Sequence, residues 1–424
     1  MDCVARNSLT RQRPRKRKRA HSGQRADDGA AGSAAEAAPT PDPQHMAEPP
    51  PAPAPAAPAA ETSFYQRTNP HKPSFLPQAI ASRARKYTLS IALPGSIILN
   101  AQTPELQARL AGQIARTCAI FNVDEIVVFD DREPSHRARD AGDESADEGK
   151  PSFDANGFLA RVLQYLETPQ YLRKALFPMH SHLRHAGLLP PIDAPHHLRF
   201  DDESEYREGV TVDPPPWAHS SRHDTVWVNI GWRQPIEAQV PGAAAPPGAG
   251  VRVTVRMPTR RNAPGALVSP REPVERAGLY WGYTVRLCSS LVDVLMDNPW
   301  ASGRGEAPAA YDLVVGTSER GVPLTELLHR EPAAGGASSN DRLRPFHHAL
   351  VVLGGLSGLE VAVERDPQLT QGADDAHLLF DYWVNVVEHQ GSRTVRTEEA
   401  LMITLARMKT CLLYTSDAAD DMQC

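Results

Sequence analysis

Three glycine-bearing segments each follow a short apolar run that reads as a strand. Gly316-Thr317-Ser318-Glu319-Arg320-Gly321 follows residues 311–315, Gly354-Gly355-Leu356-Ser357-Gly358-Leu359-Glu360 follows 349–353, and Gly391-Ser392-Arg393-Thr394-Val395-Arg396-Thr397-Glu398-Glu399 follows 380–387. Glycine lacks a Cβ, so its backbone N–H and C=O groups can approach a ligand closely. In α/β domains the loops at strand ends are where small molecules bind. Three such segments in series predict one shared small-molecule cleft.

The elements around them must hold that cleft. Residues 87–93 alternate like a strand halted by Pro94-Gly95. Thr103 as N-cap and Pro104 at the first helical position then open a helix with Leu106, Leu110 and Ile114 on one face. Residues 125–129 supply the next strand, so the pattern is α/β. The acidic stretch 130–150 reads as a solvent loop. Helical spacing resumes over 158–177, with Leu159, Leu163 and Leu166 on one face and a break at Pro169. Between 207 and 275 the chain turns to short β-like pieces such as 225–230 and 251–255, separated by Pro/Gly-rich turns, as in a small inserted barrel. Residues 277–287 return to the α/β body. There Tyr280, Trp281 and Tyr283 are expected to pack against the insert rather than stack on bases, and a helix carrying Leu291 and Val294 follows. A last helix is expected from Thr397 as N-cap, with Glu398 and Glu399 in its first turn and Leu401, Leu405 and Met408 on its buried face.

Composition excludes several classes. At 424 residues with 41% hydrophobic content, the chain can bury at least one large core. A net charge of −6 is not that of a broadly basic nucleic-acid binder, so any such binding must come from local patches. The five cysteines, Cys3, Cys118, Cys288, Cys411 and Cys424, form no CxxC pair, which argues against a zinc site or a disulfide framework and for a reducing compartment. No apolar stretch nears the roughly 20 residues that span a bilayer, and membrane insertion is not expected. His180, His182 and His185, and the pairs His196-His197 and His347-His348, lack the partners of a metal site. The run Asp201-Asp202-Glu203-Ser204-Glu205 reads as a surface turn. Neither a GxSxG elbow nor a P-loop is present. Near the start, Arg15-Lys16-Arg17-Lys18-Arg19 precedes an Ala/Pro-rich tract that cannot bury enough apolar surface to order itself. Its basic run has the pattern of a nuclear address or an RNA tether.

Stretches 87–95, 111–129, 195–212, 277–287, 316–321, 347–360 and 391–405 resemble the eukaryotic and archaeal SPOUT-class RNA methyltransferases that carry an inserted OB-fold, over about residues 85–410. The resemblance implies an α/β domain in two parts, 85–206 and 276–411, the second tied in a deep trefoil knot, with an OB-like barrel over 207–275. A tail, 1–80, would precede it, and 412–424 would follow with no assigned role. It implies S-adenosylmethionine held by Gly316, Thr317, Ser318, Gly354, Gly355, Gly358, Gly391, Ser392, Thr394 and Thr397. Glu319, Arg393 and Arg116 would act on the acceptor. Asn100, Arg320, Arg396 and the tail residues Arg15, Lys16, Arg17, Lys18 and Arg19 would contact RNA. Arginine's planar fork suits both phosphate and a developing uridine anion. The implied activity is methylation of a uridine base nitrogen, N3, in ribosomal RNA by a nuclear homodimer. The rival expectation is a nuclear RNA-binding scaffold at the spindle, centrosome or kinetochore that has set catalysis aside.

Overall fold

The computed structural model describes residues 85, 87–131, 153–218, 224–242, 245–258, 263–297, 299, 311–329 and 346–421. These belong to the larger of two units, Glu61–Cys424. The tail 1–80, most of the 130–150 stretch and much of the connection after residue 329 lie outside the described residues.

Six parallel strands form the central sheet: β1 Thr88–Pro94, β2 Glu125–Phe129, β8 Thr284–Cys288, β9 Leu313–Pro323, β10 His348–Val352 and β11 Tyr382–Asn385, in the order β11-β9-β10-β1-β2-β8. A parallel sheet needs both faces covered, and the central strands β1, β2 and β10 are correspondingly buried along almost their whole length. Leu89, Ile91 and Leu93 of β1 face one core with α1 Pro104–Ile120, α2 Ala155–Glu167 and α8 Thr397–Asp421. Ala92, Val127, Phe129, Leu350 and Val352 face the other, covered by α5 Leu291–Met296 and α7 Gly358–Arg365. The sheet is thus a helix–sheet–helix sandwich, with the second and third glycine segments after the carboxyl ends of β10 and β11.

The N-terminal capping reading holds for α1, where Thr103 accepts from the Leu106 amide and Pro104 opens the helix. Its apolar face is shifted, however: Leu110 and Ile114 are buried while Leu106 is 48% exposed. Ala108, Ala111 and Ala115 carry the contact instead, because small side chains let the helix lie close to the sheet. After α2, Pro169 breaks the helix before α3 Gln170–Leu176. Residues 412–421 continue α8, where the sequence showed no further helix face.

Strands β3 Tyr206–Val212, β4 Thr225–Asn229, β5 Ile236–Gln239, β6 Arg252–Arg256 and β7 Gly265–Val268 close into a barrel in the order β3-β4-β5-β7-β6. All its pairings are antiparallel except β5 with β7. Val226, Val228, Ile230, Val255 and Leu267 fill it. The short α4 Glu272–Ala277 leads back towards the sheet and ends at Gly278 in the left-handed conformation, φ 63°.

A buried ionic knot of side chains joins barrel to sheet. Arg252 of β6 bonds Glu208 of β3 (2.7 Å) and Glu167 at the end of α2 (2.6 Å), while Trp281 donates its indole N–H to Glu208 (2.6 Å). His196 Nε2 stands 3.0 Å from Glu167. Tyr280 and Tyr283 donate their hydroxyls to the Val123 and Leu163 carbonyls. Of the aromatic trio, Trp281 packs against the insert as expected, whereas Tyr280 and Tyr283 pack into the α/β core instead.

Candidate active site

The segment at Gly316 does not form a loop. It lies inside β9, where Gly316 pairs with Val352 of β10 and Trp383 of β11. The next pairing with β11 is Val384 with Val322, so residues 317–321 bow out opposite a single step of the neighbouring strand. Both glycines at the ends of this bow serve packing. A Cβ on Gly316 would stand 2.6 Å from the Trp383 ring, and one on Gly321 2.4 Å from the Val384 backbone. The bow carries Thr317, Ser318, Glu319 and Arg320 to the mouth of a cavity of about 430 Å³.

The second segment closes that cavity from below. Gly358 has φ +82°, the left-handed region that glycine tolerates, and its N–H returns to the Gly355 carbonyl at 3.1 Å. A Cβ on Gly354 would meet the Leu359 amide at 2.5 Å, so the start of α7 can lie against this backbone only because residue 354 has no side chain. From the third segment, Arg393, Thr394 and Thr397 line the same cavity. The three segments thus converge on one cleft.

Cross-links fix their spacing. Thr397 Oγ1 donates to the Gly354 carbonyl at 2.9 Å, tying the start of α8 to the second segment. Thr397 is therefore the first helical residue and not the cap of α8. The preceding Arg396 offers its carbonyl to the Glu399 and Ala400 amides, and its own N–H donates to Glu399 Oε2 at 3.0 Å. Ser318 donates to Glu360 Oε1 at 2.6 Å, tying the bow to α7. Thr317 donates to the Val352 carbonyl at 3.2 Å.

Several expected site residues stand elsewhere. Gly316, Gly391 and Ser392 do not line the cavity. A Cβ on Gly391 would meet nothing within 4 Å, so no close approach demands glycine there. Ser392 Oγ bonds the Thr394 carbonyl (2.6 Å) and shapes the third segment locally. Asn100 ends a 3-10 helix after β1, exposed and away from the cavity walls, and Arg396 is exposed at its edge. Arg116 lies in mid-α1, where its guanidinium donates to the carbonyls of Pro191 and Ile192. It clamps a segment onto α1 and does not reach the cleft of its own chain. Residues 15–19 lie outside the described residues.

Other contributors went unread. Asn385, at the end of β11, donates to the Glu319 carbonyl at 3.0 Å and so supports the bow; a polar residue inside the apolar run 382–387 was its signal. Gln390 and Asp374 line the cavity with no spacing to mark them. Asp131, just past β2, accepts from Ser96 Oγ at 2.7 Å and would lie 3.3 Å from a Cβ on Gly355. Burial pushes its carboxyl above the usual carboxylate range, against the opposing pull of the Ser96 hydroxyl. Arg320 stands 3.7 Å from Asp374, both exposed, so the pair leaves Arg320 accessible to a ligand. Among the described residues no group of His, Cys, Asp and Glu is arranged to hold a metal, and no helix is long and apolar enough to cross a membrane.

The cleft fits the cofactor that the resemblance implies. Its lining includes Gly354, Gly355 and Gly358, whose backbone lies open without a Cβ, its walls mix apolar Leu353, Val386 and Val387 with polar groups, and the first turn of α8 contributes Thr397 and Ala400. The family model described as "Putative RNA methyltransferase" matches residues 88–408. The 28S rRNA (uridine-N(3))-methyltransferase of Mus musculus is 48% identical over 335 residues, covering 78% of each chain. The human protein of the same name is 48% identical over 337 residues, covering 78% of this chain and 80% of its own. Among solved structures, the SpoU methyltransferase AviRb from Streptomyces viridochromogenes, in complex with AdoMet, aligns at 9% identity over 81% of this chain and 63% of that one. Its TM-score of 0.28 is too low to carry an argument. The relatives' names support the enzyme and lend nothing to the scaffold reading. A matched model spanning three quarters of the chain and relatives at 48% identity settle the assignment: the chain belongs to the SPOUT-class RNA methyltransferases, whose cofactor is S-adenosylmethionine.

Proposed function

We propose that this chain methylates N3 of a uridine in large-subunit ribosomal RNA. The observation that carries it is the convergence of all three segments on one glycine-lined cleft, in a chain 48% identical to enzymes named for that reaction. Bound there, S-adenosylmethionine supplies a methyl group already activated on a sulfonium. The chain must orient the acceptor and manage its proton, because N3 of uracil bears hydrogen between two carbonyls. Glu319, on the bow, would take that proton. Arg393 and Arg320, which line the same cavity, would balance the negative charge that spreads to the flanking carbonyl oxygens. Gly354, Gly355, Gly358, Thr394 and Thr397 would hold the cofactor, whose sulfonium would supply the methyl group to N3.

Three finer readings belong to the same proposal. The barrel order, equivalent to 1-2-3-5-4 with the third and fifth strands parallel, supports an OB-fold that grips RNA. A trefoil knot is supported by β11 lying outside β9 while β10 lies inside it, with α8 then returning to pack on α1. A homodimer is supported by Leu106 and Ile120 on α1 and Met402 on the adjacent α8, all at least 40% exposed, which a second copy would cover. Nuclear entry rests on the basic run at 15–19.

The direct test incubates the full chain with methyl-labelled cofactor and large-subunit rRNA transcripts, then digests the RNA to nucleosides. Label in 3-methyluridine is expected. Arg393→Ala and Glu319→Gln should each slow transfer by about 100-fold, in the range of removing one charge-stabilising or proton-accepting group. Calorimetric affinity for the cofactor should move little. Label confined to the ribose 2′-oxygen, or no label despite cofactor binding, would overturn the proposal.

A further inference from the structure

We propose that a second cavity, beside the cofactor cleft, holds the acceptor uracil stacked on Trp383. The inference rests on the chain acting on a uridine base and names the place where that base sits. N3–H of uracil is a donor of the Watson–Crick edge, so pairing hides it and the reacting base must leave its stack. A base taken out of its stack needs a flat surface to replace its neighbours and polar groups to hold its edge. Its N3 must also come within about 3–3.5 Å of the methyl group, so its place must be continuous with the cofactor cleft.

A cavity of about 350 Å³ meets these requirements, and it shares Arg320, Glu360, Ala373 and Asp374 with the cleft. Val322, His377 and Trp383 also line it. Four elements build it. The bow of β9 brings Arg320, with Val322 just after it, and the first turn of α7 brings Glu360. The 3-10 helix Ala373–Leu379 brings Asp374 and His377, and edge strand β11 brings Trp383.

Trp383 is the flat surface. Its side chain packs on the sheet face that carries Ala376, Phe380 and α7. Neighbours hold the ring on two sides: Phe380 is tilted against it with centroids 5.2 Å apart, and a Cβ on Gly316 would stand 2.6 Å from it. The residue nevertheless stays half-buried and lines the cavity. An aromatic ring already fixed by its neighbours loses little freedom when a base stacks on it.

The polar lining suits a neutral ring. Ser318 donates to Glu360 Oε1 at 2.6 Å and Arg320 stands 3.7 Å from Asp374, so the shared boundary sets guanidinium donors beside carboxylate acceptors. Uracil brings the complementary edge, two carbonyl oxygens flanking an N–H. Two carboxylates against one guanidinium disfavour a phosphate or the carboxylate of the cofactor at this place. With the ring on Trp383, its N3 edge faces the boundary with the cleft, on the side where Glu319 lies.

The test uses the full chain with saturating S-adenosylhomocysteine and oligo(U) carrying one 4-thiouridine, with cross-linked peptides located by mass spectrometry. Cross-links are expected on Trp383 or on residues 373–377. Val322→Trp, at a position 44% exposed, fills the cavity without opening the core. It should lower those cross-links and kcat/KM for the rRNA transcript by about tenfold or more, with cofactor Kd within twofold of wild type. Trp383→Leu should lower kcat/KM by roughly 5- to 150-fold, as expected for the stacking of one base, and Trp383→Phe should restore most of it. A merely structural Trp383 would lower Tm and leave kcat/KM of the folded protein unchanged. Cross-links confined to other segments, or unchanged kcat/KM in Val322→Trp, overturn the proposal. So does a cofactor Kd that rises in parallel in Val322→Trp, since the cavity would then belong to the cofactor. Cross-linking at Trp383 without methyl transfer by wild type would count against the enzymatic reading alone.

Discussion

Replacing Thr397 by valine removes one hydroxyl and keeps the side chain's branched shape. Thr397 is 6% exposed, and its Oγ1 donates to the Gly354 carbonyl at 2.9 Å, the bond that couples the first turn of α8 to the second glycine segment. A net hydrogen bond contributes about 1 kcal/mol, and a carbonyl left dry without its donor raises the cost to about 2 kcal/mol. For a domain of this size each kcal/mol lowers Tm by about 2–4 °C, so a fall of roughly 2–8 °C is expected. If the bond also sets the spacing of the two segments, the same free energy appears in cofactor binding, where 1–2 kcal/mol corresponds to roughly a 5- to 30-fold rise in Kd. Calorimetric titration of S-adenosylmethionine and a thermal melt of the same sample measure both. Thr397→Ser should restore most of each, because it returns the donor. A lowered Tm with Kd within twofold of wild type would refute the reasoning, since the bond would then hold the fold without shaping the cleft.

Two further outcomes follow from the same geometry. Gly316→Ala places a methyl group 2.6 Å from the Trp383 ring and should cost about 1–3 kcal/mol as an overpacked contact, whereas Gly391→Ala meets open space and should change stability by less than about 0.5 kcal/mol and cofactor affinity not at all; denaturant midpoints of the pair check it. Acid should weaken the barrel junction in two stages. Burial, reinforced by the neighbouring His196, lowers His197 to about 3, so the folded state refuses a proton that the unfolded chain takes below about 6.5, and stability falls as pH drops through that range. Glu167 is lowered to about 2 because the Arg252 charge and the bonds from His196 and Arg252 outweigh burial. Its contribution, on the order of 3 kcal/mol, is present above about pH 4.3 and is lost as pH falls towards 2. Urea midpoints against pH should decline from about 6.5 downwards, with His197→Gln flattening the upper stage only; a flat profile between pH 6.5 and 3 in wild type would contradict the assignment.

How much of this was legible depended on how local each cause is. The Thr103-Pro104 start of α1 and the Pro169 break are written in neighbouring residues, and both stand where the sequence puts them. The apolar runs of β1, β2 and β10 had to be buried on both faces, which already implied a parallel sheet with helices on each side. Leu106 misled because periodicity cannot say how near a helix comes to its sheet, and three alanines bring α1 close enough to leave that leucine outside.

The glycines carry the sharper lesson, because one residue type answered two different demands. Gly354 and Gly358 are glycine because backbone must pass close to the start of α7 and turn left-handed at the edge of the cleft, whereas Gly316 and Gly321 are glycine because β11 lies against them. Sequence shows both pairs as the same pattern, a glycine after an apolar run. Yet the packing glycines are not incidental to the site. By admitting Trp383 and the Val384 backbone at both ends of the bow, they let β9 and β11 stay paired while five residues leave the ladder, and those residues present Ser318, Glu319 and Arg320 to the cleft. The chemistry is carried by side chains that need no glycine, and the glycines are the condition for placing them. The same division explains Arg116: an arginine grouped with the acceptor-handling residues turns out to hold the backbone carbonyls of Pro191 and Ile192, so its type answers a packing demand of the fold.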